Sequence, residues 1–178
     1  MTSSLRSVVD VLRASNIDYA LIGAGAMAAH GVPRSTLDTD LLVLTRDVLS
    51  KTLWDKSGVT LPVSIALGDE TDPLDGVVRI QAPEGDIEIV VPRGNWAHQA
   101  VKDASVLHYL GQDLRVAQIA DLVVLKLIAG GYRDQADIAL LIESFPDQNI
   151  ASEVDARSQC LDEAATNLWA KIRGSVTT

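Results

Sequence analysis

The apolar positions of the chain follow two spacings, one typical of helices and one typical of strands. Apolar residues at helical spacing predict long helices over 4–14, 118–129, 134–144 and 149–173. Short runs rich in β-branched residues predict strands over 19–22, 38–44, 59–67, 77–81, 86–91, 105–110 and 114–116. Shorter helices are predicted over 24–30, 48–54 and 96–103. We therefore expect an α/β protein of the α+β type, in which helices flank a mixed or largely antiparallel sheet and the C-terminal third is helical.

Length and composition limit the classes of protein that fit the chain. Its 178 residues predict a single domain (1–178), with an α/β core over 17–116 and a helical part over 117–178. A hydrophobic content of 47% excludes a wholly disordered chain, and no apolar run reaches the roughly 18 residues of a membrane span. The first residues lack a signal-peptide pattern, so we expect a cytoplasmic protein with no membrane partner.

Charge and cysteine content exclude two further properties. The net charge of −9 opposes broad, non-specific binding to nucleic acid, which depends on neutralising phosphates. The single cysteine, Cys160, excludes an internal disulfide, and its apolar helix position favours core packing over a reactive thiol.

One stretch, residues 19–44, carries the candidate chemistry. An apolar strand breaks at Gly23 and Gly25, a short Ala-rich helix follows, and the next strand opens with Asp38 and Asp40. Side chains at i and i+2 of a strand point to the same face, roughly 7 Å apart along the chain, so this acid pair suits a hard cation. The glycine turn that enters the helix offers free backbone N–H groups to a phosphate. This combination predicts a phosphoryl or nucleotidyl transferase, and the alternative is a pair of turn acids before an ordinary buried strand.

The same stretch is similar to a known signature. It resembles the DNA polymerase β-like nucleotidyltransferase superfamily, most closely the small bacterial AbiEii-toxin-like and minimal nucleotidyltransferase proteins. The matching positions are Gly23, His30, Gly31, Arg34, Asp38 and Asp40. Ala24 departs from the pattern, because the superfamily usually carries Gly or Ser there. The resemblance implies transfer of a nucleoside monophosphate from a nucleoside triphosphate to an acceptor hydroxyl, with Mg²⁺ or Mn²⁺ as cofactor.

The resemblance also implies a third carboxylate on a neighbouring strand, which helps to activate the attacking hydroxyl. The strand over 86–91 offers two acids, and Glu88 is the choice because its Ile-Glu-Ile-Val context matches the superfamily best. Asp86 is the second choice. The alternative is an edge strand with a solvated face.

Three basic residues are candidates for binding the nucleotide. Arg34 suits phosphate oxygens, and its alternatives are a surface position or a pair with Asp38. Lys126 is isolated in an apolar helix and must reach either solvent or an anion. His30 either contacts the nucleotide or closes its helix through a backbone contact.

The segments around Lys126 extend the resemblance to about residue 143. Lys126-Leu127-Ile128-Ala129 and Arg133-Asp134-x-x-Asp137 are close to segments of the relatives, which implies that Lys126 contacts phosphates and that Asp134 and Asp137 orient it or a neighbouring Arg. The structural alternative is a tie between two helices, in which Asp134 caps the second helix and Asp137 pairs with Lys126.

The expected site therefore has a metal-binding part and a nucleotide-binding part. Asp38, Asp40 and Glu88 are the predicted metal ligands, and Lys126 joins them as a catalytic candidate. The predicted nucleotide-binding residues are Gly23, Ala24, Gly25, Arg34 and Lys126. The acceptor is left open among tRNA, a protein and a small molecule, and a cognate antitoxin or a second copy of the chain is a further possible partner.

Two alternatives of another class stay open from the sequence. The first is a catalytically inactive binding or regulatory module with the same fold. The second is a dinucleotide-binding protein, because residues 23–28 fit Gly-x-Gly-x-x-Ala after a strand. That fingerprint is weak alone, and the acids open the next strand rather than close it, so this alternative ranks lowest.

Overall fold

The computed structural model describes residues 3–32, 34, 38–157 and 161–176. Cys160 lies outside the described residues, so core packing of its side chain stays a prediction.

A seven-stranded sheet forms the centre of the described chain. Its strands are β1 (Tyr19–Ile22), β2 (Thr39–Val43), β3 (Val63–Leu67), β4 (Leu74–Ile80), β5 (Ile87–Pro92), β6 (Ser105–Tyr109) and β7 (Gln112–Val116). They lie in the order β3-β4-β5-β2-β1-β7-β6. The pairs β2–β5 and β1–β7 are parallel and the other four pairs are antiparallel, which confirms the mixed, largely antiparallel sheet.

Helices cover the sheet and make up the C-terminal third. They are α1 (Ser4–Ala14), α2 (Gly23–Ala29), α3 (Lys51–Lys56), α4 (His98–Lys102), α5 (Ile119–Ala129), α6 (Tyr132–Ser144), α7 (Ile150–Arg157) and α8 (Glu163–Val176). A 3-10 helix, Arg46–Leu49, precedes α3. Among the described residues no helix has the length and apolar character needed to cross a bilayer.

Alternation along β5 sets the direction of its acid. Ile87, Ile89 and Val91 are buried in the core, whereas Glu88 and Val90 are half-buried on the other face. Because successive strand residues point to opposite faces, burial of the isoleucines places Glu88 on the face away from them. β5 lies between β4 and β2 in the sheet, so the alternative interpretation of 86–91 as an edge strand is excluded.

The turn from β1 through α2 to β2 excludes the dinucleotide-binding alternative. β1 and β2 are antiparallel neighbours, with Ile22 beside Asp40. A dinucleotide-binding unit needs two parallel strands joined by the helix. The Gly-x-Gly-x-x-Ala pattern therefore marks a tight strand-to-helix turn of another topology.

The predicted helix over 149–173 is wrong in its continuity. α7 ends at Arg157, and residues 161–162 are not helical. The carboxylate of Asp162 accepts the backbone N–H of Ala165 at 2.8 Å, which is the contact of an N-cap residue. Asp162 therefore begins a new helix.

Two shorter elements also differ from the prediction. One strand begins later than predicted, and one helix is interrupted. β3 starts at Val63 rather than at 59, because Gly58 adopts φ 77° after α3 and the chain becomes extended only beyond Pro62. The helix predicted over 48–54 divides into the 3-10 helix and α3, with Ser50 between them in an extended conformation.

Candidate functional site

Asp40 and Glu88 lie side by side on the central strands of the sheet. In the parallel pair β2–β5, Asp40 is in register with Glu88, so both side chains point to the same face. In the antiparallel pair β4–β5, Arg79 is in register with Glu88. Arg79, Glu88 and Asp40 therefore lie next to one another on three adjacent strands, β4, β5 and β2.

Asp38 enters the same region through a backbone contact. Its Oδ1 accepts the backbone N–H of Asp86 at 3.2 Å, and the N–H of Thr39 donates to the carbonyl of Asp86 at 2.9 Å. The side chain of Asp86 lies 4.0 Å from Arg79 Nε. Asp86 therefore positions Asp38 through its main chain, and its carboxylate faces the arginine. We call Asp38, Asp40 and Glu88 the acidic row.

The glycine turn touches the acidic row. Gly23 adopts φ +64°, and a Cβ atom built there would lie 2.2 Å from Oδ2 of Asp40. Only glycine fits, both because of the left-handed backbone and because the carboxylate occupies the space. α2 begins at Gly23 with no side-chain cap on its first turn.

The next two residues of the turn are buried. The side chain of Ala24 is 4% exposed. A Cβ on Gly25 would lie 3.4 Å from Leu21 and 3.7 Å from Tyr109. This turn therefore offers a ligand its backbone rather than its side chains.

Burial and the neighbouring carboxylates both disfavour the ionised form of Asp40. Burial, and then the negative charges of Glu88 and Asp38, raise the pKa of Asp40 to about 6, against the opposing effect of Lys126 and Arg34. A bound cation would relieve this repulsion, since it favours the ionised form of every carboxylate near it.

Arg79 is a residue that the sequence interpretation missed. Its Nε donates to Glu88 Oε1 at 2.8 Å, and its Nη2 contacts the same oxygen. A signal was present in the sequence, because a hairpin that turns at 82–85 and pairs residues 80 and 87 necessarily places residue 79 opposite residue 88.

A divalent cation fits the acidic row in part. Asp38 and Asp40 supply the oxygen ligands that Mg²⁺ and Mn²⁺ prefer. The carboxylate of Glu88 is taken by Arg79. Consistently, no group of three or more His, Cys, Asp or Glu side chains in the described part of the chain is arranged to hold a metal ion. The arrangement as it stands suits a pair of acidic ligands rather than three.

The second charged group lies at the junction of α5 and α6. Lys126 Nζ lies 2.5 Å from Asp137 Oδ2 and 3.2 Å from Asp134 Oδ1. Arg34 Nε lies 3.1 Å from the other oxygen of Asp137. Lys126 and Asp137 are 6% and 5% exposed, so this ion pair is buried. We call Lys126, Asp134, Asp137 and Arg34 the lysine cluster.

The lysine cluster matches the predicted tie between helices, with one correction. Asp137 pairs with Lys126, as the structural alternative requires. Asp134 does not cap α6, because the helix begins at Tyr132 after Gly131 and shows no side-chain cap. Asp134 lies in the first turn, where its carboxylate is used by Lys126.

His30 forms a backbone contact at the end of α2. Its Nε2 lies 2.8 Å from the carbonyl oxygen of Ala117, which follows β7. His30 is also the C-cap residue of α2. The imidazole therefore joins the end of α2 to the start of the helical part.

A cavity of about 550 Å³ opens beside Asp38. Leu5, Ile87, Tyr109 and Leu110 give it apolar walls, and Asp38 and Glu84 contribute carboxylates. A larger cavity of about 820 Å³ lies between α1 and the segment 47–59, and none of the predicted site residues line it. Asp38 is the member of the acidic row among the described residues that line this smaller cavity. Thr39 and Ile87, which also line it, alternate with Asp40 and Glu88 along their strands and so point to the opposite face of the sheet.

Comparison with known proteins identifies the fold. No protein-family model matches the chain, and no curated protein matches its sequence. Among solved structures, the antibiotic-resistance factor ANT(2'')-Ia aligns with a TM-score of 0.55 and 12% identity, covering 98% of this chain and 91% of that one.

Two further solved structures align with the chain to a similar extent. An antigenic nucleotidyltransferase-like protein from Paracoccidioides brasiliensis aligns with a TM-score of 0.53 and 19% identity over 93% of this chain and 90% of that one. A Thermotoga maritima protein assigned as a nucleotidyltransferase aligns with a TM-score of 0.52 and 13% identity over 81% of this chain and 91% of that one. Identities this low bear on architecture alone, and on that ground the chain has an α/β fold of the nucleotidyltransferase type.

Proposed function

We propose that the protein is a metal-dependent nucleotidyltransferase that transfers a nucleoside monophosphate from a nucleoside triphosphate to an acceptor hydroxyl. One observation carries the proposal: the glycine turn contacts Asp40 so closely that only glycine fits, and Glu88 stands in register beside that acid. A backbone turn that suits a phosphate thus lies beside carboxylates that suit a metal ion, and this proximity supports the proposal.

Each group of the chain has a role in this reaction. Asp38 and Asp40 hold the divalent cation, which when bound neutralises charge on the phosphates. In the proposed complex, the backbone N–H groups of the turn over 23–25 would donate to the polyphosphate, since no side chain caps them. Asp40 is mostly ionised at neutral pH, since its pKa of about 6 lies below 7.

The lysine cluster supplies positive charge to the same region. Lys126 and Arg34 both lower the pKa of Asp40, so their fields reach the acidic row. Asp137 contacts both Lys126 and Arg34 and so holds these two side chains in place before the substrate binds. In the proposed complex these cations counter the charge of the triphosphate.

The acceptor binds in the cavity beside Asp38 in this proposal. That cavity is partly apolar and carries carboxylates, and the whole chain has a net charge of −9. Both features favour a small molecule or a protein side chain over an extended RNA. A place among AbiEii-like toxins with a cognate antitoxin, and a cytoplasmic location, are parts of the proposal that rest on residues 19–44 and on composition.

A labelling experiment tests the proposal. The purified chain is incubated with each α-labelled nucleoside triphosphate and Mg²⁺ or Mn²⁺, with and without total tRNA and a protein extract. We expect label on one acceptor, and a loss on the order of 10²-fold or more in the double variant Asp38→Asn/Asp40→Asn. Label transfer that persists in this variant would contradict the proposal.

The contact between Arg79 and Glu88 favours a second candidate, a non-catalytic nucleotide-binding module. In this contact the carboxylate of Glu88 is occupied by the guanidinium rather than open to a metal ion. This second function would be identified if the protein binds a triphosphate but transfers no label, both as the wild type and after substitution of Arg79.

A further inference from the structure

Arg79 occupies the position on Glu88 that a metal ion would need. The guanidinium reaches Glu88 across the β4–β5 pair and approaches Asp86 at 4.0 Å. Two of its N–H groups contact one carboxylate oxygen. The strand register places Arg79 directly opposite Glu88, within reach of its carboxylate.

The other basic groups near the acidic row are committed elsewhere. Lys126 contacts Asp134 and Asp137, and Arg34 contacts Asp137. Their charges reach Asp40 through space, whereas Arg79 makes direct contact with the row. Arg79 is thus a basic side chain in direct contact with Glu88.

Release of Arg79 is easy compared with release of Lys126. The Arg79 side chain is 55% exposed, so its guanidinium can return to water when it leaves Glu88. The Lys126 side chain is 8% exposed and would lose its partners without gaining solvent. Glu88 can therefore exchange Arg79 for another cation while the ion pairs of the lysine cluster stay intact.

We propose that Arg79 and a divalent cation compete for Glu88, so that Arg79 limits metal affinity and its departure adds the third carboxylate to the Asp38–Asp40 pair. The inference rests on the proposed metal-dependent function. It predicts that metal binding and the Arg79–Glu88 contact exclude each other.

Direct measurement of Mn²⁺ binding tests the inference. The dissociation constant is measured by calorimetry and by electron paramagnetic resonance for the wild type, Arg79→Ala and Arg79→Gln. We expect about tenfold tighter binding in both variants, because a unit charge near the ion is removed and Glu88 becomes available. Equal or weaker binding in both variants would overturn the inference.

Arg13→Ala is the matched control. Arg13 is an α1 residue with a side chain 54% exposed, and its partners are Asp10 and the carbonyl of Asp113. The change in net charge equals that of Arg79→Ala. Mn²⁺ affinity in Arg13→Ala should therefore stay within about twofold of the wild type, and a tenfold gain there would assign the effect to overall charge instead.

A double-mutant cycle with Glu88→Gln locates the effect. If competition for Glu88 is the cause, most of the gain from Arg79→Ala disappears in the Glu88→Gln background. A gain of full size in that background contradicts the inference, since the arginine would then act without this carboxylate.

The outcomes separate this inference from the proposed function. Tighter Mn²⁺ binding in Arg79→Ala without label transfer in any variant leaves the inference standing and removes the transferase. Label transfer together with equal Mn²⁺ affinity in the wild type and Arg79→Ala supports the transferase and overturns the inference. A lack of Mn²⁺ binding in every variant overturns both.

Discussion

Two groups of charged side chains, the acidic row on the sheet and the lysine cluster between α5 and α6, differ in how their charges are balanced. In the lysine cluster, Lys126 and Arg34 meet Asp134 and Asp137, two cations for two acids, and the central pair is buried. The acidic row has three carboxylates, of which Glu88 contacts the exposed Arg79. The charges of the lysine cluster cancel within the cluster, whereas the acidic row keeps a net negative charge even when Arg79 is counted with it.

The difference separates structural from ligand-binding charge. A buried ion pair keeps its partners because the loss of either leaves an uncompensated charge in the interior. An unbalanced row stores repulsion that a ligand can relieve, as the raised pKa of Asp40 shows. Substitutions in the two groups should therefore change stability in opposite directions.

Loss of the central lysine should give the largest effect. In Lys126→Met, Asp137 stays buried with Arg34 as its one remaining cation among the described contacts. We expect a decrease of about 3–5 kcal/mol in the free energy of unfolding, measured with urea. Lys102→Met, which removes an exposed lysine at the end of α4, should cost under about 0.5 kcal/mol. A similar cost for both would remove the contrast between the two groups.

Neutralising Asp40 should increase the free energy of unfolding, whereas Lys126→Met should decrease it. Its pKa is higher in the folded protein, about 6, than the ordinary value of 3.8, so the fold binds the proton more tightly than the unfolded chain does. Stability therefore falls as pH rises between these two values. Without metal, Asp40→Asn should gain up to about 3 kcal/mol above pH 6 and almost nothing below about pH 4.

Urea unfolding at a series of pH values measures this gain. Asp55→Asn, which removes an exposed acid of α3, serves as the control for net charge. Destabilisation by Asp40→Asn at pH 8 would mean that the row is already balanced in the metal-free protein.

Substitution of Gly23 should have a smaller effect on stability and a clear effect on the site. Gly23→Ala meets both the left-handed backbone and Oδ2 of Asp40. Gly94→Ala meets a similar φ of +80° with nothing within 4 Å, so it measures backbone strain alone. We expect a loss of about 1 kcal/mol for Gly94→Ala and about 2 kcal/mol for Gly23→Ala. Mn²⁺ affinity should fall in Gly23→Ala alone, and equal affinities would mean that the turn and Asp40 are independent.

The smallest effect is expected at His30. Removal of the contact with the carbonyl of Ala117 in His30→Ala should cost about 1 kcal/mol of unfolding free energy. If the imidazole serves only to join α2 to the helical part, binding of a fluorescent nucleoside triphosphate should change less than twofold. A tenfold loss of binding without loss of stability would place His30 in the nucleotide site instead.

The sequence predicted most elements, and it predicted that an acid of the strand over 86–91 lies beside the Asp38–Asp40 pair, because both depend on local patterns. Alternation of Ile87, Glu88 and Ile89 fixed the face of the acid, and the glycines at 23 and 25 fixed the turn that approaches Asp40. The break between α7 and α8 was missed, because Asp162 interrupts an apolar pattern that is itself compatible with one helix. A side-chain cap outweighs periodicity there.

Pairings between distant residues were harder to predict. The contact between Lys126 and Asp137 was one of two alternatives, since a buried lysine needs an anion but the pattern does not choose between protein and ligand. The link from Arg34 to Asp137 crosses about a hundred residues of chain and has no local signal. Arg79 had a signal in the hairpin register, but its significance appears only when Glu88 and Asp40 are seen in one row.

The position of Arg79 in the chain has an evolutionary consequence. β2 and β5 are parallel, so a crossover must connect them, and residues 44–86 form that connection with β3 and β4 inside it. The acids stand at either end of the connection, whereas the arginine is carried within it. Under the proposed competition, a lineage that exchanged the segment carrying Arg79 would lose the limit on metal affinity and keep Asp38, Asp40 and Glu88.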